Sequence, residues 1–457
     1  MSATTHTMPA ADAAWLHMDR PTNPMVVNSL VRLAETPDYG RVAEVIEERL
    51  VARFPRFRQR VVDPPGRPPA FEDDPFFDIE NHLHRRPLPA PGDRRALEGM
   101  VGDLITPPID PGKPLWHAYL LEGYGDGAAV LWRIHHSLAD GIALAQVMLS
   151  IADGAASPPR VAPPRPSEER GALDRVASAP GRAASVARAV AGAAIHEGAT
   201  ALAHPARLRE LAGGARRDAS TVAKLVASPA DAPSALRQGL SGTRRVAWTD
   251  PFPLARVKDG GHRLRVTVND MLMTALAATL AEVMSADGGA PEEIHAMVPV
   301  NLRPPDRPIS SDLGNDFALV LLELPTGELR PAERLRQINS RMNALKDSHE
   351  APIAFGLLNA LGMSPPWVED RVIEFFTDKA SMVVTNVPGP AERLEFAGAP
   401  IDGVLVWAPC SGSLGLTVSI FSYAGEVSVG FMADTALLED PEPLARTFEA
   451  ELDRLCP

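Results

Sequence analysis

Cysteine is nearly missing from this 457-residue chain: only Cys410 and Cys456 occur, far apart. That excludes a disulfide scaffold and a cysteine-rich zinc site, and it fits a reducing cytosol. Basic charge is also short. With 45 Lys+Arg against 58 Asp+Glu the net charge is −13, which gives nucleic-acid binding no electrostatic support at whole-chain level. The N-terminus has no basic head followed by an apolar run; Asp12, His17 and Asp19 interrupt it, so no secretory signal is read. No stretch of about 18 uninterrupted apolar residues exists, which argues against a spanning helix. The nearest approach, 183–203, is mostly alanine and carries Arg188, His196 and Glu197, so it reads as a helix lying on something. A Gly-x-Ser-x-Gly elbow is missing too, which argues against a serine-nucleophile hydrolase. Ser411-Gly412-Ser413 reads as a loop, and no short-period repeat is visible.

What the chain does have is a hydrophobic fraction of 45%, enough to bury a real core, and length for two or three domains at about 150 residues each. Three zones follow. Residues 1–154 mix helix and strand patterns: 39–54 has helical spacing through Val42, Val45, Ile46, Leu50 and Val51, 127–134 is a buried strand, and 142–151 is helical again. Residues 155–245 open with Pro158, Pro159, Pro163, Pro164 and Pro166, then turn Ala/Arg-rich and helical. Over 160–245 there are 14 Lys+Arg against 7 Asp+Glu, a local +7 that leaves −20 for the rest. This basic connector is either a solvated helical linker or a surface for anionic lipid headgroups. Residues 246–457 return to an α/β mixture. Helices are expected at 270–284, at 332–345 and after Pro441 or Pro443, strands at 294–300 and 317–324, and a hairpin across Ala424-Gly425.

The segment His135-His136-Ser137-Leu138-Ala139-Asp140-Gly141 ends the apolar strand. Activating a hydroxyl needs a base titrating near neutrality in a fixed orientation, which suits histidine. Strand alternation places Val130, Trp132, Ile134 and His136 on one face and Leu131, Arg133 and His135 on the other, so only one histidine enters a given cleft. His136 is the candidate general base. Asp140 either accepts a hydrogen bond that fixes a ring or pairs with an arginine to hold the loop, and Gly141 lets the backbone turn into the next helix. With 12 His and 34 Gly, such a spacing arises by accident in on the order of one chain in several hundred; a pair of hydrogen-bonded histidines at a strand end is the competing reading.

The His-His-x-x-x-Asp-Gly pattern resembles the signature shared by chloramphenicol acetyltransferase, carnitine acyltransferases and condensation domains. The surrounding motifs narrow the resemblance to the bacterial wax ester synthase/diacylglycerol acyltransferase family. They are Pro114-Leu115-Trp116, Asn269-Asp270 opening the first helix of the third zone, Val298-Pro299-Val300-Asn301-Leu302-Arg303-Pro304, Gly314-Asn315-Asp316-Phe317 and Asn386-Val387-Pro388-Gly389-Pro390. The segment 12–25 and the terminal Ser422-Tyr423 hairpin are similar as well. Thr385 departs from the serine expected there, and the Ala/Arg-rich middle bears no motif.

The resemblance implies an α/β (α+β) fold of two similar chloramphenicol-acetyltransferase-like halves, 1–154 and 246–457, joined by the linker 155–245, with a tunnel between them. It implies an O-acyltransferase that esterifies diacylglycerol, or a long-chain fatty alcohol to a wax ester, with acyl-CoA as substrate and neither cofactor nor metal. His135 and Asp140 would then position, with Asp140 salt-bridged, Arg303 being the guess for its partner. Asn269, Asp270, Arg303 and Asn386 are substrate or oxyanion candidates, although Asn269-Asp270 also suits a helix cap. Pro114-Leu115-Trp116 suits packing, 386–390 a rigid turn, and 271–284 core. The expected setting is cytoplasmic, at a membrane or lipid-droplet surface through the basic linker. Two rivals stay open: a chloramphenicol-acetyltransferase-like or condensation-type enzyme with another acceptor, and a catalytically silent lipid-binding protein.

Overall fold

The computed structural model describes residues 5–65, 67–153, 161–162, 229–286, 289–302, 309–346, 350–362, 364 and 366–456. Arg303, the span 183–203 and most of the basic linker lie outside the described residues.

Two sheets carry the fold. Small pieces flank them: β1 (Thr5–Thr7), β3 (Gln59–Val62) and β4 (Ala70–Asp73) form a three-stranded sheet, and β8 (Val161–Ala162) pairs with β12 (Ile309–Ser310). The first main sheet contains β2 (Val26–Leu33), β5 (Leu83–Pro87), β6 (Trp116–Tyr124), β7 (Gly127–His135), β15 (Glu395–Phe396) and β16 (Ala399–Trp407), in the order β15-β16-β2-β7-β6-β5. The second contains β9 (Arg244–Trp248), β10 (Phe252–Pro253), β11 (Glu293–Asn301), β13 (Phe317–Pro325), β14 (Met382–Pro388), β17 (Leu416–Tyr423) and β18 (Glu426–Asp434). Its order is β10-β18-β17-β14-β11-β13, with β9 on β18. The two halves therefore share strands: β15 and β16 arise within 246–457 yet complete the sheet of 1–154, where β16 runs antiparallel to β2.

β7 is buried at every position, and its alternation separates two cores as expected. Val130, Trp132 and Ile134 join a cluster with Val26, Val27, Phe54 and Leu144. Ala129 and Leu131 join Leu30 and Leu97 together with Val246, Trp248, Leu405 and Trp407, a cluster built from both halves. The helices are α1 (Ala10–His17), α2 (Tyr39–Ile46), α3 (Arg94–Ile105), α4 (Gly141–Ile151), α5 (Leu254–Leu264), α6 (Val268–Ala286), α7 (Pro331–Lys346), α8 (Glu350–Leu361), α9 (Pro366–Thr377) and α10 (Glu442–Leu455). Among the described residues no single helix is long and apolar enough to cross a membrane; α5 and α6 pass that test only together, bent by 96°. Met271, Met273 and Met284 of α6 are buried in the second half's core.

Several elements differ from their sequence reading. The helix expected over 39–54 is α2 followed by a π-helical turn, Glu47–Val51, closed by Ala52 N–H to Glu47 O at 2.9 Å. The wider turn keeps Leu50, Val51 and Phe54 all buried and leads into the 3₁₀ turn that carries Arg56. Asn269-Asp270 opens α6, not the first helix of its zone, because α5 precedes it. The stretch read as a turn from Asn386 is strand to Pro388, pairing in parallel with β17 through Asn386↔Ile420 and Pro388↔Ser422. The β17–β18 hairpin turns at Ala424 and Gly425, with φ of 51° and 83°, the left-handed pair a tight hairpin demands.

Candidate active site

α1 is an apolar helix with one carboxylate, and the spacing of three puts Asp12 and Trp15 on the same face. It is seated against the second half: a Cβ at Gly362 would lie 1.7 Å from the Ala10 carbonyl oxygen. Trp15 stacks on His136, ring centroids 4.3 Å apart and planes 19° from parallel, while Phe317 flanks both rings. The His136 N–H is held by Met25 O at 2.7 Å, which fixes the backbone just past the end of β7.

His136 Nδ1 lies 2.9 Å from Oδ1 of Asn315. The amide orientation of Asn315 follows from its other contacts: Nδ2 donates to Asp12 Oδ1 at 2.8 Å and to His136 O at 2.9 Å, both acceptors. Its oxygen must therefore face the ring, so Nδ1 carries the proton and Nε2 keeps its lone pair. Asp12 also accepts the Asn315 backbone N–H at 3.0 Å and pairs with Arg56 Nη1 at 2.8 Å. Arg56 in turn donates to Ser137 O and Leu138 O at 3.1 and 2.7 Å. Three residues from separate segments, Asn315, Asp12 and Arg56, thus hold one ring in one tautomer. Asn315, Asp12 and Arg56 were not read as site residues. A lone carboxylate in an apolar helix is the available signal for Asp12, and Gly314-Asn315-Asp316 is a motif to which the sequence assigns no role.

Burial lowers the His136 pKa to about 4, against the opposing pull of its backbone and Asn315 hydrogen bonds. The ring is neutral at physiological pH and can accept a proton. Burial pushes the Asp12 carboxyl up, against Arg56 and the Asn315 bonds. His135 is held elsewhere: Ser137 N–H donates to its Nδ1 at 3.2 Å, leaving the proton on Nε2, which faces Asp19 Oδ1 at 3.7 Å.

Asp140 holds the loop. One oxygen caps α4 by accepting the Ala143 N–H at 2.7 Å; the other accepts the Asp316 N–H at 2.9 Å. Its suggested partner Arg303 lies outside the described residues. Gly141 has no left-handed φ, so the expected need for a backbone turn does not explain it. It is the first residue of α4, and among the described residues a Cβ there would meet no atom within 4 Å. Asp270 is fully buried and accepts from Thr267 N–H and Oγ1, both at 2.8 Å, and from Asn339 Nδ2 at 2.9 Å. It is tied up at the start of α6 and does not line the cavity. Asn269 Oδ1 accepts from Asn386 Nδ2 at 2.6 Å, and of the two only Asn386 borders the cavity.

That cavity, about 80 Å³, lies between the sheets with His136, Trp15 and Gly141 on one wall. The other wall comes from alternating positions of the second sheet: Met297, Pro299 and Asn301 of β11, and Val383, Thr385 and Val387 of β14. Pro114-Leu115-Trp116 lies behind the motif as packing, with Trp116 Nε1 donating to Phe57 O at 2.7 Å and Leu115 O accepting the His135 N–H at 2.9 Å.

A neutral, singly protonated histidine in a mostly apolar cleft between two strand-sharing sheets is an arrangement that suits general-base chemistry. Known structures agree on the fold. A wax ester synthase/diacylglycerol acyltransferase from Marinobacter aquaeolei VT8 superposes with TM-score 0.68 over 98% of each chain at 21% identity. The first condensation domain of the calcium-dependent antibiotic synthetase gives 0.61 over 100% of this chain and 96% of that one at 14% identity. The sequence matches the wax ester synthase/diacylglycerol acyltransferase catalytic domain over residues 8–272 and the WS/DGAT C-terminal domain over 313–456. The chain belongs to the wax ester synthase/diacylglycerol acyltransferase family and is an O-acyltransferase. Its relatives include a Mycobacterium tuberculosis protein carrying the name diacylglycerol O-acyltransferase, 28% identical over 85% of this chain and 81% of its own. Another is the Acinetobacter baylyi O-acyltransferase WSD, 26% identical over 84% and 82%.

Proposed function

We propose that this enzyme transfers the acyl group of a long-chain acyl-CoA to diacylglycerol, giving triacylglycerol, or to a fatty alcohol, giving a wax ester. His136 Nε2 acts as the general base. The observation that carries this reading is the Asn315 contact to Nδ1, which leaves the lone pair on Nε2, a nitrogen with no hydrogen bond among the described residues. Nε2 takes the hydroxyl proton as the alcohol oxygen attacks the thioester carbonyl carbon. The C–S bond of the tetrahedral intermediate then breaks, and the departing CoA thiolate recovers the proton from the imidazolium. No covalent enzyme intermediate is needed. The π-faces of Trp15 and Phe317 beside the ring favour the transient imidazolium. The oxyanion needs a donor aimed at it, and Thr385 places a hydroxyl on the cavity wall.

The acceptor is lipophilic, so the enzyme works at a cytoplasmic lipid surface, met through the basic stretch 160–245. The test is product analysis with palmitoyl-CoA and diacylglycerol and hexadecanol offered side by side. Triacylglycerol or palmityl palmitate with stoichiometric CoA release supports the reading. Transfer to amines and not to alcohols would favour condensation-type chemistry. Lipid binding without CoA release over every acceptor would favour a silent lipid-binding protein.

A further inference from the structure

α1 meets the reacting ring on one side and the second half on another. Trp15 stacks on His136. His17, two residues on, stands about 200° further round the helix, and its Nδ1 donates to both oxygens of Glu369 at 3.0 and 3.2 Å. Glu369 lies in the first turn of α9 with its carboxylate buried. Ile373, one turn further along that helix, packs against the cluster of Trp15, Met18, Met25 and Phe317.

The grip continues past the end of α1. Arg20 pairs with Asp370, and its Nη1 donates back to the carbonyls of His17 and Asp19 at 2.8 and 2.9 Å. Asp19 Oδ1 accepts the Met25 N–H at 2.7 Å, and Met25 O accepts the His136 N–H at 2.7 Å. Two neighbouring carboxylates of α9 thus hold the segment 17–20. Both routes out of that segment, through α1 and through Met25, end on His136.

The hold depends on charge. His17 Nδ1 faces Glu369 and its Nε2 lies 3.6 Å from Asp63, just past β3; acceptors on both nitrogens favour the doubly protonated ring. The other charged groups beside the pair are Asp370 of α9 and Arg20 of its own loop. The Glu369 hydrogen bond raises the His17 pKa above the ordinary histidine value, against burial, and Asp63 adds to it. Burial raises the Glu369 carboxyl, and the His17 bond opposes that.

We propose that Glu369 is a positioning residue for His136, acting through His17 and α1, and that loss of the His17 proton puts a basic limb on turnover. The proposal rests on His136 as the base. While His17 is a cation the clamp is closed. As pH rises and the ring loses its proton, the buried Glu369 carboxylate loses its countercharge and the hold on α1 weakens. Trp15 and Asp12 then hold His136 less firmly. Neither His17 nor Glu369 lines the catalytic cavity, so the step slowed is chemistry and not donor binding.

The experiment measures kcat and the KM for palmitoyl-CoA from about pH 6 to 9, with one fixed alcohol, in wild type, His17→Arg and Glu369→Gln. Wild-type kcat should decline toward the alkaline end at little-changed KM. His17→Arg keeps a cation at every pH, so its kcat should stay level over the same range. Glu369→Gln keeps the shape and removes the charge: kcat should fall on the order of ten-fold near neutrality, with the basic limb lost and KM kept. Should His17→Arg fail to fold, the near-isosteric Glu369→Gln carries the test. A wild-type profile without a basic limb overturns the proposal. So does an unchanged basic limb in either folded variant, which is what a merely structural pair would give. If wild type releases no CoA, or His136→Ala turns over like wild type, the base reading itself has failed and the clamp falls with it; an active wild type with unmoved profiles in the variants fails the clamp alone.

Discussion

The side-chain oxygen of Asn315 accepts from Nδ1 of His136 at 2.9 Å across a sequence separation of 179 residues, joining the two halves at the reacting ring. Its orientation is forced by two acceptors on the other side of the amide, Asp12 Oδ1 and His136 O. This contact determines which nitrogen can act as base.

Asn315 is accordingly the first residue to change. Asn315→Leu removes the acceptor and frees the tautomer, and kcat should fall about 10- to 100-fold with the KM for acyl-CoA little altered. Asn315→Asp keeps an acceptor and adds a charge, so it should move the acid limb of kcat/KM upward in pH, while loss of the donor to Asp12 and the His136 carbonyl lowers stability. Equal kcat for Asn315→Leu and wild type would show that the tautomer is held by something else.

His136 also sets the acid side of the pH profile. Its pKa in the fold is lowered to about 4 from 6.5 by burial. The ring stays neutral far below the usual histidine range, and kcat/KM should keep its full value to about pH 5. The same shift governs stability. Between 6.5 and about 4 the unfolded chain binds a proton that the folded ring refuses, so stability falls with falling pH across that window and is complete above it. The loss attributable to His136 is roughly 3 kcal/mol at its limit. Urea melts of wild type and His136→Phe at pH 7.5 and 4.5 test this: the wild type should lose more stability on acidification. Parallel losses would contradict it.

The buried pair Asp12–Arg56 should matter more to folding than to chemistry. Removing one partner leaves a buried charge uncompensated, at a cost of about 3–5 kcal/mol. Arg56→Ala also releases the carbonyls of Ser137 and Leu138. Thermal melting should show a large drop for Arg56→Ala and a smaller one for Asp12→Asn, which keeps hydrogen-bonding capacity. A melting temperature within a degree of wild type for Arg56→Ala would refute the pair's role.

How much of this was legible in the sequence divides by distance along the chain. His136 and its face of β7, with His135 on the other, came from local pattern, because strand alternation acts over a few residues, whereas the loop role of Asp140 came from the family resemblance, as a salt bridge and not as the helix cap it makes. Asp270 at the start of α6 was readable from local pattern too. Asn315 and Asp12 were not: they meet across a separation of 303 residues, and no local propensity encodes such a pairing. The strand exchange of β16 was hidden likewise, since an apolar run does not say which sheet it will complete. Gly141 was misread because glycine usually signals backbone freedom, whereas here it leaves space.

The basic stretch 160–245 carries a separate expectation. Binding to vesicles containing phosphatidylserine should weaken as salt rises from 50 to 500 mM, the screening expected of headgroup contacts. Charge reversal at Arg207, Arg209, Arg216 and Arg217 should lower it at every salt concentration. Salt-independent binding would remove this stretch from the account.

The central claim is that His136 is the base of acyl transfer. The measurement is steady-state CoA release from palmitoyl-CoA by His136→Ala beside wild type, with palmitoyl-CoA affinity and melting temperature determined on the same samples. The account predicts a loss of at least about 10²-fold, the lower end for a general base, with the fold and donor binding kept. A folded His136→Ala enzyme that turns over at a rate near wild type would contradict it.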